Sequence, residues 1–332
     1  MIISQTPLRI SLFGGGTDLR GYYEQHGGAV VSCTIDKYIF VIVKSRYDDQ
    51  IVLNYSERER VDSIDEIAHP LIREALRRSG IRRSVEITSI ADIPSQGSGL
   101  GSSSSFSVGL FNALYAFKGE PKNPRELAEL ACNLEIEELQ APIGKQDQYA
   151  AAFGGMKMYL FNRDGTVEVE DAGMAPRKLQ QFGYYSNLFF TGNYRKASEV
   201  LQDQKENIVA NSAHLGRIKQ IALEAREPVE GADIRRIGAL LDEQWQLKRQ
   251  LSGKMENDGI REMYEAGMTG GAFGGKLLGA GGGGYFLFIA SLENKERLRS
   301  ALARYRELPI SYDPLGSRII LNIKDNAYAS VE

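Results

Sequence analysis

The sequence predicts an α+β protein folded as two domains. Strand-sized apolar runs alternate with longer stretches of helical period along all 332 residues. That length allows two domains or one large one, with ample material for a core. Gly173, Pro176 and the polar residues around them then interrupt the pattern over 172–183. The expected domains are therefore 1–175 and 184–332.

Residues 2–10 read as a first strand and 19–25 as a short helix. Two strands follow at 29–35 and 38–45, joined through Asp36 and Lys37. The polar stretch 54–65 is a loop or hairpin. Leu71, Ile72, Ala75 and Leu76 share one face of a helix at 68–79, and Gly80 stops it. Val85 and Ile87 alternate in a strand at 84–90, and Phe106, Leu110, Ala113, Leu114 and Phe117 recur at helical spacing. Asn123 and Pro124 open the next helix as N-cap and first-turn proline. Its apolar face is Leu127, Leu130, Ala131 and Leu134, with Glu135 on the border. Strands at 156–161 and 166–169 flank a turn at 162–165. The second half reads as a strand at 184–190, helices at 197–225 and 233–251, a strand at 285–290, a helix at 292–305 and a last strand at 318–323.

Composition narrows the functional classes. The chain is 42% hydrophobic and 25% charged, with a net charge of −3, so charge implies neither a nucleic-acid nor a membrane partner. The longest apolar runs, 38–43 and 285–290, are too short to span a bilayer, and residues 1–10 lack the features of a signal peptide. Two cysteines do not make a disulfide framework, and three scattered histidines do not suggest a His/Cys metal site. These features predict a soluble cytoplasmic protein.

The stretch Pro94–Ser107, PSQGSGLGSSSSFS, carries the chemistry. It lies between a strand and a helix and holds glycines at 97, 99 and 101 before four serines. Free N–H groups and the positive end of the helix dipole converge at such a junction, and glycines let the backbone approach a phosphate. Serine hydroxyls add donors or reach a magnesium ion. No Lys-Ser or Lys-Thr pair follows, so this is not a Walker-type loop. Two further glycine patterns fail on context. Gly270–Lys276 fits G-x-x-x-x-G-K but is followed by Leu277, and Gly279–Gly284 fits G-x-G-x-x-G but precedes a strand.

Pro94–Ser104 resembles the second motif of the GHMP kinases, the superfamily of galactokinase, homoserine kinase and mevalonate kinase, which reads Pro-x-x-x-x-Gly-Leu-Gly-Ser-Ser. Pro7–Leu19, PLRISLFGGGTDL, resembles the first motif in its sugar-kinase form. Arg9, Gly14, Thr17 and Asp18 keep register there, while Gly15 and Gly16 replace the Glu-His pair that galactokinases aim at their sugar, which argues against galactose. LGAGGGGYF, from Leu278 to Phe286, resembles the third motif. The resemblance implies a ribosomal-protein-like α/β N-terminal domain, a ferredoxin-like C-terminal domain, and transfer of the ATP γ-phosphoryl group to a hydroxyl. It implies that Gly97, Ser98, Gly99, Leu100, Gly101, Ser102, Ser103 and Ser104 hold the ATP phosphates and that Ser103 and Glu135 hold Mg2+. Asp147, twelve residues after Glu135 with Pro142-Ile143-Gly144 between, is the implied catalytic residue, with Arg9 beside it. Asp18, Thr17 and Gly16, with Gly282 and Gly283, would meet the sugar.

Three segments, at 7–19, 26–38 and 190–201, resemble the heptose 7-phosphate kinase branch of this superfamily, which phosphorylates the anomeric hydroxyl of D-glycero-α-D-manno-heptose 7-phosphate to the 1,7-bisphosphate on the way to GDP-heptose. A sugar that already carries phosphate needs spare cations, and Arg195, Lys196 and Lys145 are the candidates. The implied partners are ATP and a small sugar phosphate, and the resemblance leaves room for a homodimer. The alternatives are an anomeric kinase for fucose or another heptose or octose phosphate, and a non-catalytic relative that binds sugar or ATP.

Overall fold

The computed structural model describes residues 1–94, 97–194, 200, 202–203 and 207–323. Among them, β1 (Ile2–Phe13) and β2 (Gly28–Ser45) form the spine of an eight-stranded sheet, with α1 (Arg20–His26) between them. The two strands expected at 29–35 and 38–45 are one continuous strand. Its ladder with β1 skips Asp36 and Lys37, the two residues expected to join the strands, which bulge out between Ile35, opposite Leu8, and Tyr38, opposite Pro7. Proline has no N–H to give the ladder, so the bulge is accommodated there. The hairpin β3 (Ile51–Asn54) and β4 (Arg58–Val61) follows, then α2 (Pro70–Ser79), capped by His69 and stopped by Gly80 at φ 74°. β5 (Val85–Ala91) pairs with the second half of β2.

α3 (Ser102–Lys118) starts earlier than its apolar residues suggest, and takes the serines into its first turn. α4 (Pro124–Cys132) begins with a capping box, in which Asn123 and Glu126 satisfy each other's backbone N–H, and continues as a π-helical turn over Asn133–Glu138. α5 (Gln146–Phe153) leads into β6 (Met156–Phe161), which pairs with the first half of β2, and β7 (Val167–Asp171). Where an interruption was expected at 172–183, the chain forms α6 (Pro176–Tyr185), with Pro176 in the first turn that tolerates it and Leu179 and Phe182 buried.

β8 (Ser186–Phe190) opens the second sheet. The helices α7 (Ser212–Glu224), α8 (Arg226–Gly231), α9 (Ile234–Lys248) and α10 (Asp258–Thr269) follow, then β9 (Ala272–Leu277), β10 (Tyr285–Ala290), α11 (Lys295–Ala301) and β11 (Glu307–Leu308). This sheet runs β11-β8-β10-β9. One face of it packs Phe286 and Phe288 with Trp245 and Met263, whereas the larger core packs α3, α4 and α5 against the first sheet. The last strand, β12 (Arg318–Asn322), was expected in the second domain. It pairs instead with β1, antiparallel, at the edge of the first sheet. None of the described helices is long and apolar enough to cross a membrane.

Candidate active site

A cleft of about 430 Å3 draws its walls from elements that carry both sheets. Arg9, on β1, is its structural centre. Its backbone N–H donates to the Leu100 carbonyl at 3.0 Å, which fastens the serine-glycine loop to the strand. Its guanidinium donates from Nε to Asp147 Oδ1 at 2.7 Å, from Nη2 to Oδ2 at 2.6 Å, and from Nη1 to the Gly99 carbonyl at 2.6 Å. The two parallel bonds to one carboxylate fix both orientation and charge. Asp147 sits in the first turn of α5, so one guanidinium joins strand, loop and helix start.

Asp18 is 2% exposed. Gly16 N–H donates to its Oδ1 at 3.0 Å, Gln146 Nε2 donates to the same oxygen at 3.1 Å, and Gln146 N–H donates to Oδ2 at 3.3 Å. Burial and, next, the Asp147 carboxylate push Asp18 above its ordinary value. A Cβ on Gly144 would lie 1.9 Å from Asp18 Oδ2, so the glycine is what lets this carboxylate approach the start of α5.

Glu135 stands on the π-helical turn and is 3% exposed. Ser103 Oγ donates to its Oε1 at 3.0 Å and Gln148 Nε2 to its Oε2 at 2.7 Å. Burial pushes it up to about 7 despite those bonds. Two glycine loops meet across the cleft. A Cβ on Gly99 would lie 2.7 Å from the Leu278 carbonyl oxygen, and one on Gly279 would lie 2.4 Å from Gly99 Cα.

Two family models match the chain. Residues 66–155 match the GHMP kinases N terminal domain and residues 222–307 match the GHMP kinases C terminal domain. D-glycero-alpha-D-manno-heptose 7-phosphate kinase from Campylobacter jejuni is 30% identical over 320 residues, 91% of this chain and 93% of that protein. The chain belongs to the GHMP kinases. A solved D-glycero-D-manno-heptose 1-phosphate kinase from Bacteroides thetaiotaomicron superposes with a TM-score of 0.81 at 25% identity, covering 98% of this chain and 100% of that one. L-fucokinase/L-fucose-1-P guanylyltransferase from Bacteroides fragilis is 26% identical over 333 residues, 87% of this chain but 34% of that protein. As a GHMP kinase the protein has the α+β class expected of it and uses ATP as its phosphate donor.

The GHMP kinase brings Arg9, Gly16, Asp18, Gly97, Ser98, Gly99, Gly101, Ser102, Ser103, Ser104, Glu135 and Asp147 to one cleft. Other expected residues fall elsewhere. Leu100 is fully buried in the core and serves the loop through its backbone. Thr17 is fully buried, and its hydroxyl donates to the Gly14 carbonyl at 2.8 Å and accepts from Ala29 N–H, so it pins the loop rather than facing a ligand. Gly282 and Gly283 lie outside the cleft lining, where Gly279 and Ala280 stand instead. The Gly282 N–H donates to the Met255 carbonyl, which turns that part of the loop away. Lys145 lines a second cavity and donates to the Gly165 carbonyl at 2.6 Å. Arg195 and Lys196 lie outside the described residues. Sequence reasoning missed Ser11, Gln146, Lys248 and Lys276, all of which line the cleft.

Proposed function

We propose that this GHMP kinase transfers the γ-phosphoryl group of ATP to the anomeric hydroxyl of D-glycero-α-D-manno-heptose 7-phosphate. The observation that carries the reading is the Arg9–Asp147 fork, set between the serine-glycine loop on one side and Asp18 on the other. The similarity to the Campylobacter jejuni heptose 7-phosphate kinase over nearly the whole length supports the substrate.

In this reading the free N–H groups at the start of α3 and the hydroxyls of Ser102 and Ser104 receive the ATP phosphates. Asp18 accepts hydrogen bonds from sugar hydroxyls, with Gln146 beside it, and so aims the anomeric oxygen. Asp147 takes the proton from that hydroxyl as its oxygen bonds to the γ-phosphorus, and the bond to the bridging oxygen of ADP breaks. Arg9 keeps the carboxylate oriented throughout. Ser103 and Glu135 would hold Mg2+. They fit it, because a buried carboxylate beside a hydroxyl lacks a cationic partner among the described residues, and this ion characteristically takes one or two carboxylates with the substrate's phosphates. When bound, it would offset charge on the phosphate oxygens. Two free, buried cysteines, Cys33 and Cys132, suit a cytoplasmic location.

A second reading has one observation in its favour, the Bacteroides thetaiotaomicron relative named for the 1-phosphate. There the sugar would enter with its anomeric phosphate in place. One experiment separates the two. Magnesium-dependent ADP release is measured on heptose 7-phosphate, heptose 1-phosphate, free heptose, fucose, mannose and galactose, with phosphorus NMR of each product. Turnover of heptose 7-phosphate with a new anomeric phosphate signal is expected. Preference for heptose 1-phosphate or for an unphosphorylated sugar would replace the reading.

A further inference from the structure

The cleft is lined by three carboxylates, Asp18, Glu135 and Asp147, and three cations, Arg9, Lys248 and Lys276. Every carboxylate has a donor partner: Gln146 and Gly16 for Asp18, Ser103 and Gln148 for Glu135, Arg9 for Asp147. The cations are not balanced in the same way. Lys248 and Lys276 are 6% and 1% exposed and, among the described residues, form no ion pair; their ammonium groups donate only to backbone carbonyls. A buried ammonium without an acid is costly unless an anion arrives to offset it.

The two lysines differ in what their bonds accomplish. Lys276, on β9, donates to the Ser11 and Leu12 carbonyls at 2.8 and 3.0 Å and so ties the second sheet to β1. Lys248 ends α9. It donates to the Gly279 carbonyl and, at a weak 3.4 Å, to that of Leu277. An ammonium has three protons, so Lys248 keeps donor capacity. The same cleft is lined by Ser11, 4% exposed, whose buried hydroxyl has no hydrogen-bond partner among the described residues.

We propose that Lys248 is a substrate-binding residue whose ammonium, with the Ser11 hydroxyl, receives a phosphate oxyanion in the cleft. The proposal deepens the kinase reading and rests on it. The phosphate has two sources, the γ-phosphoryl group of ATP and the phosphate already on the acceptor. Gly279 touches the ATP-side loop at Gly99, and Lys248 feels the charges of both Arg9 and Asp18, so the position serves either source. Burial and then Arg9 pull Lys248 down to about 8, which leaves it charged at neutral pH and short of a counter-anion.

The test compares Lys248→Met, which keeps the stem and removes the charge, with Lys248→Arg, both in the full chain. Binding of ATP, ADP and inorganic phosphate is measured by thermal shift and titration, alongside steady-state turnover. If the oxyanion is the γ-phosphoryl group, Lys248→Met loses at least tenfold in affinity for ATP and little for ADP, and kcat falls on every acceptor. If it is the acceptor's phosphate, KM for heptose 7-phosphate rises at least tenfold, inorganic phosphate no longer raises the Tm, and the ATP and ADP affinities stay put. Lys248→Arg retains most of the lost function in either case. A Lys248→Met protein with a lowered Tm but all these affinities within twofold of wild type would reduce Lys248 to a loop fastener and overturn the proposal. A wild-type chain that turns over none of the sugars would sink the heptose reading, and the ATP, ADP and inorganic phosphate titrations would still decide Lys248.

Discussion

Asp147 and Glu135 are both acids in one cleft, and their surroundings differ. Asp147 is 23% exposed at its side chain and gripped by Arg9, which suits a group that must meet a hydroxyl. Asp147→Asn should therefore lower kcat by roughly 10²–10⁴-fold, the usual contribution of a positioned acid or base. ATP affinity and Tm should change little, and near-normal turnover would remove Asp147 from the mechanism. Glu135 lies deeper and makes a pH prediction. Its folded value of about 7 lies above its ordinary 4.5, with burial the first cause, so the fold favours the protonated form. Stability without magnesium should be greatest below pH 4.5 as far as this group is concerned and decline as pH rises to 7. The Tm should fall by roughly 2–4 °C for each kcal/mol of that cost. Glu135→Gln should flatten the slope, and magnesium with ATP should restore wild-type stability at pH 7.5. Melts of both proteins from pH 4.5 to 8 check this, and parallel slopes would mean that burial does not govern Glu135. Both acids were legible in the sequence only through the family resemblance, whose pattern sets a glutamate ahead of an aspartate with a Pro-x-Gly between them. Lys248 was legible only in part: it continues the buried series Ile237, Leu241 and Trp245 down α9, where a lysine is out of place, but nothing local links residue 248 to residues 9 and 18.

At the scale of elements, the decisive feature is the contact between two loops that are remote in sequence. Gly279 has φ +67°, and its Cα hydrogens face Gly99 so closely that any Cβ must move one loop off the other. Gly279→Ala should cost about 1–3 kcal/mol in overpacking, with a further penalty of about 1–2 kcal/mol for the left-handed backbone. The sharper outcome is kinetic. Parting the loops should raise KM for ATP by an order of magnitude or more, as steady-state titration will show. An unchanged KM with a lowered Tm would mean that the contact braces the fold without shaping the ATP site. The glycine patterns at 270–276 and 279–284 marked the region, but not which glycines mattered, since the close approach depends on a tertiary partner. The same limit explains α10, which the sequence reading passed over. Its buried residues, Ile260, Met263 and Gly267, are too few to stand out beside the glycines that follow. α6 was hidden for a different reason, because Pro176 reads as a breaker unless it occupies a first helical turn, as it does here. Glu135 itself looked like a border residue by α-helical counting. The π-helical turn changes the phase and carries its carboxylate into the cleft.

At the scale of the whole molecule, the chain returns to where it began. The segment before β12 is laced to the first sheet and to α5: Asp313 N–H donates to the Thr34 carbonyl at 3.0 Å, Tyr38 donates to Asp313 Oδ2 at 2.6 Å, and Ser317 N–H donates to the Ala151 carbonyl at 2.9 Å. The Ser317 hydroxyl then meets Thr6 at 2.7 Å and accepts from Asn112 at 2.9 Å, just before β12 covers the edge of β1. A last strand after a helix and strand reads naturally as part of the second domain, because pairing partners as far apart as Ile2 and Asn322 leave no trace in local periodicity. Cutting the chain at the expected boundary therefore leaves both halves incomplete. Fragment 1–175 would expose the unpaired N–H and C=O groups of β1 and the buried partners of Asp313 and Ser317, an edge prone to association. Fragment 176–332 would carry a strand with no sheet to join, and its Lys276 would lose the Ser11 and Leu12 carbonyls. Each fragment expressed alone should aggregate or melt without cooperativity, and co-expression of the two should yield a one-to-one complex that regains ATP turnover. Adding residues 311–323 to the first fragment through a flexible linker should rescue its folding but not its turnover, since the Gly279 loop and Lys248 stay behind. Size-exclusion chromatography and circular dichroism melts read all four samples. A monomeric 1–175 fragment with a cooperative melt near that of the intact chain would show that the returning strand is dispensable, and that the first sheet is stable with its edge open.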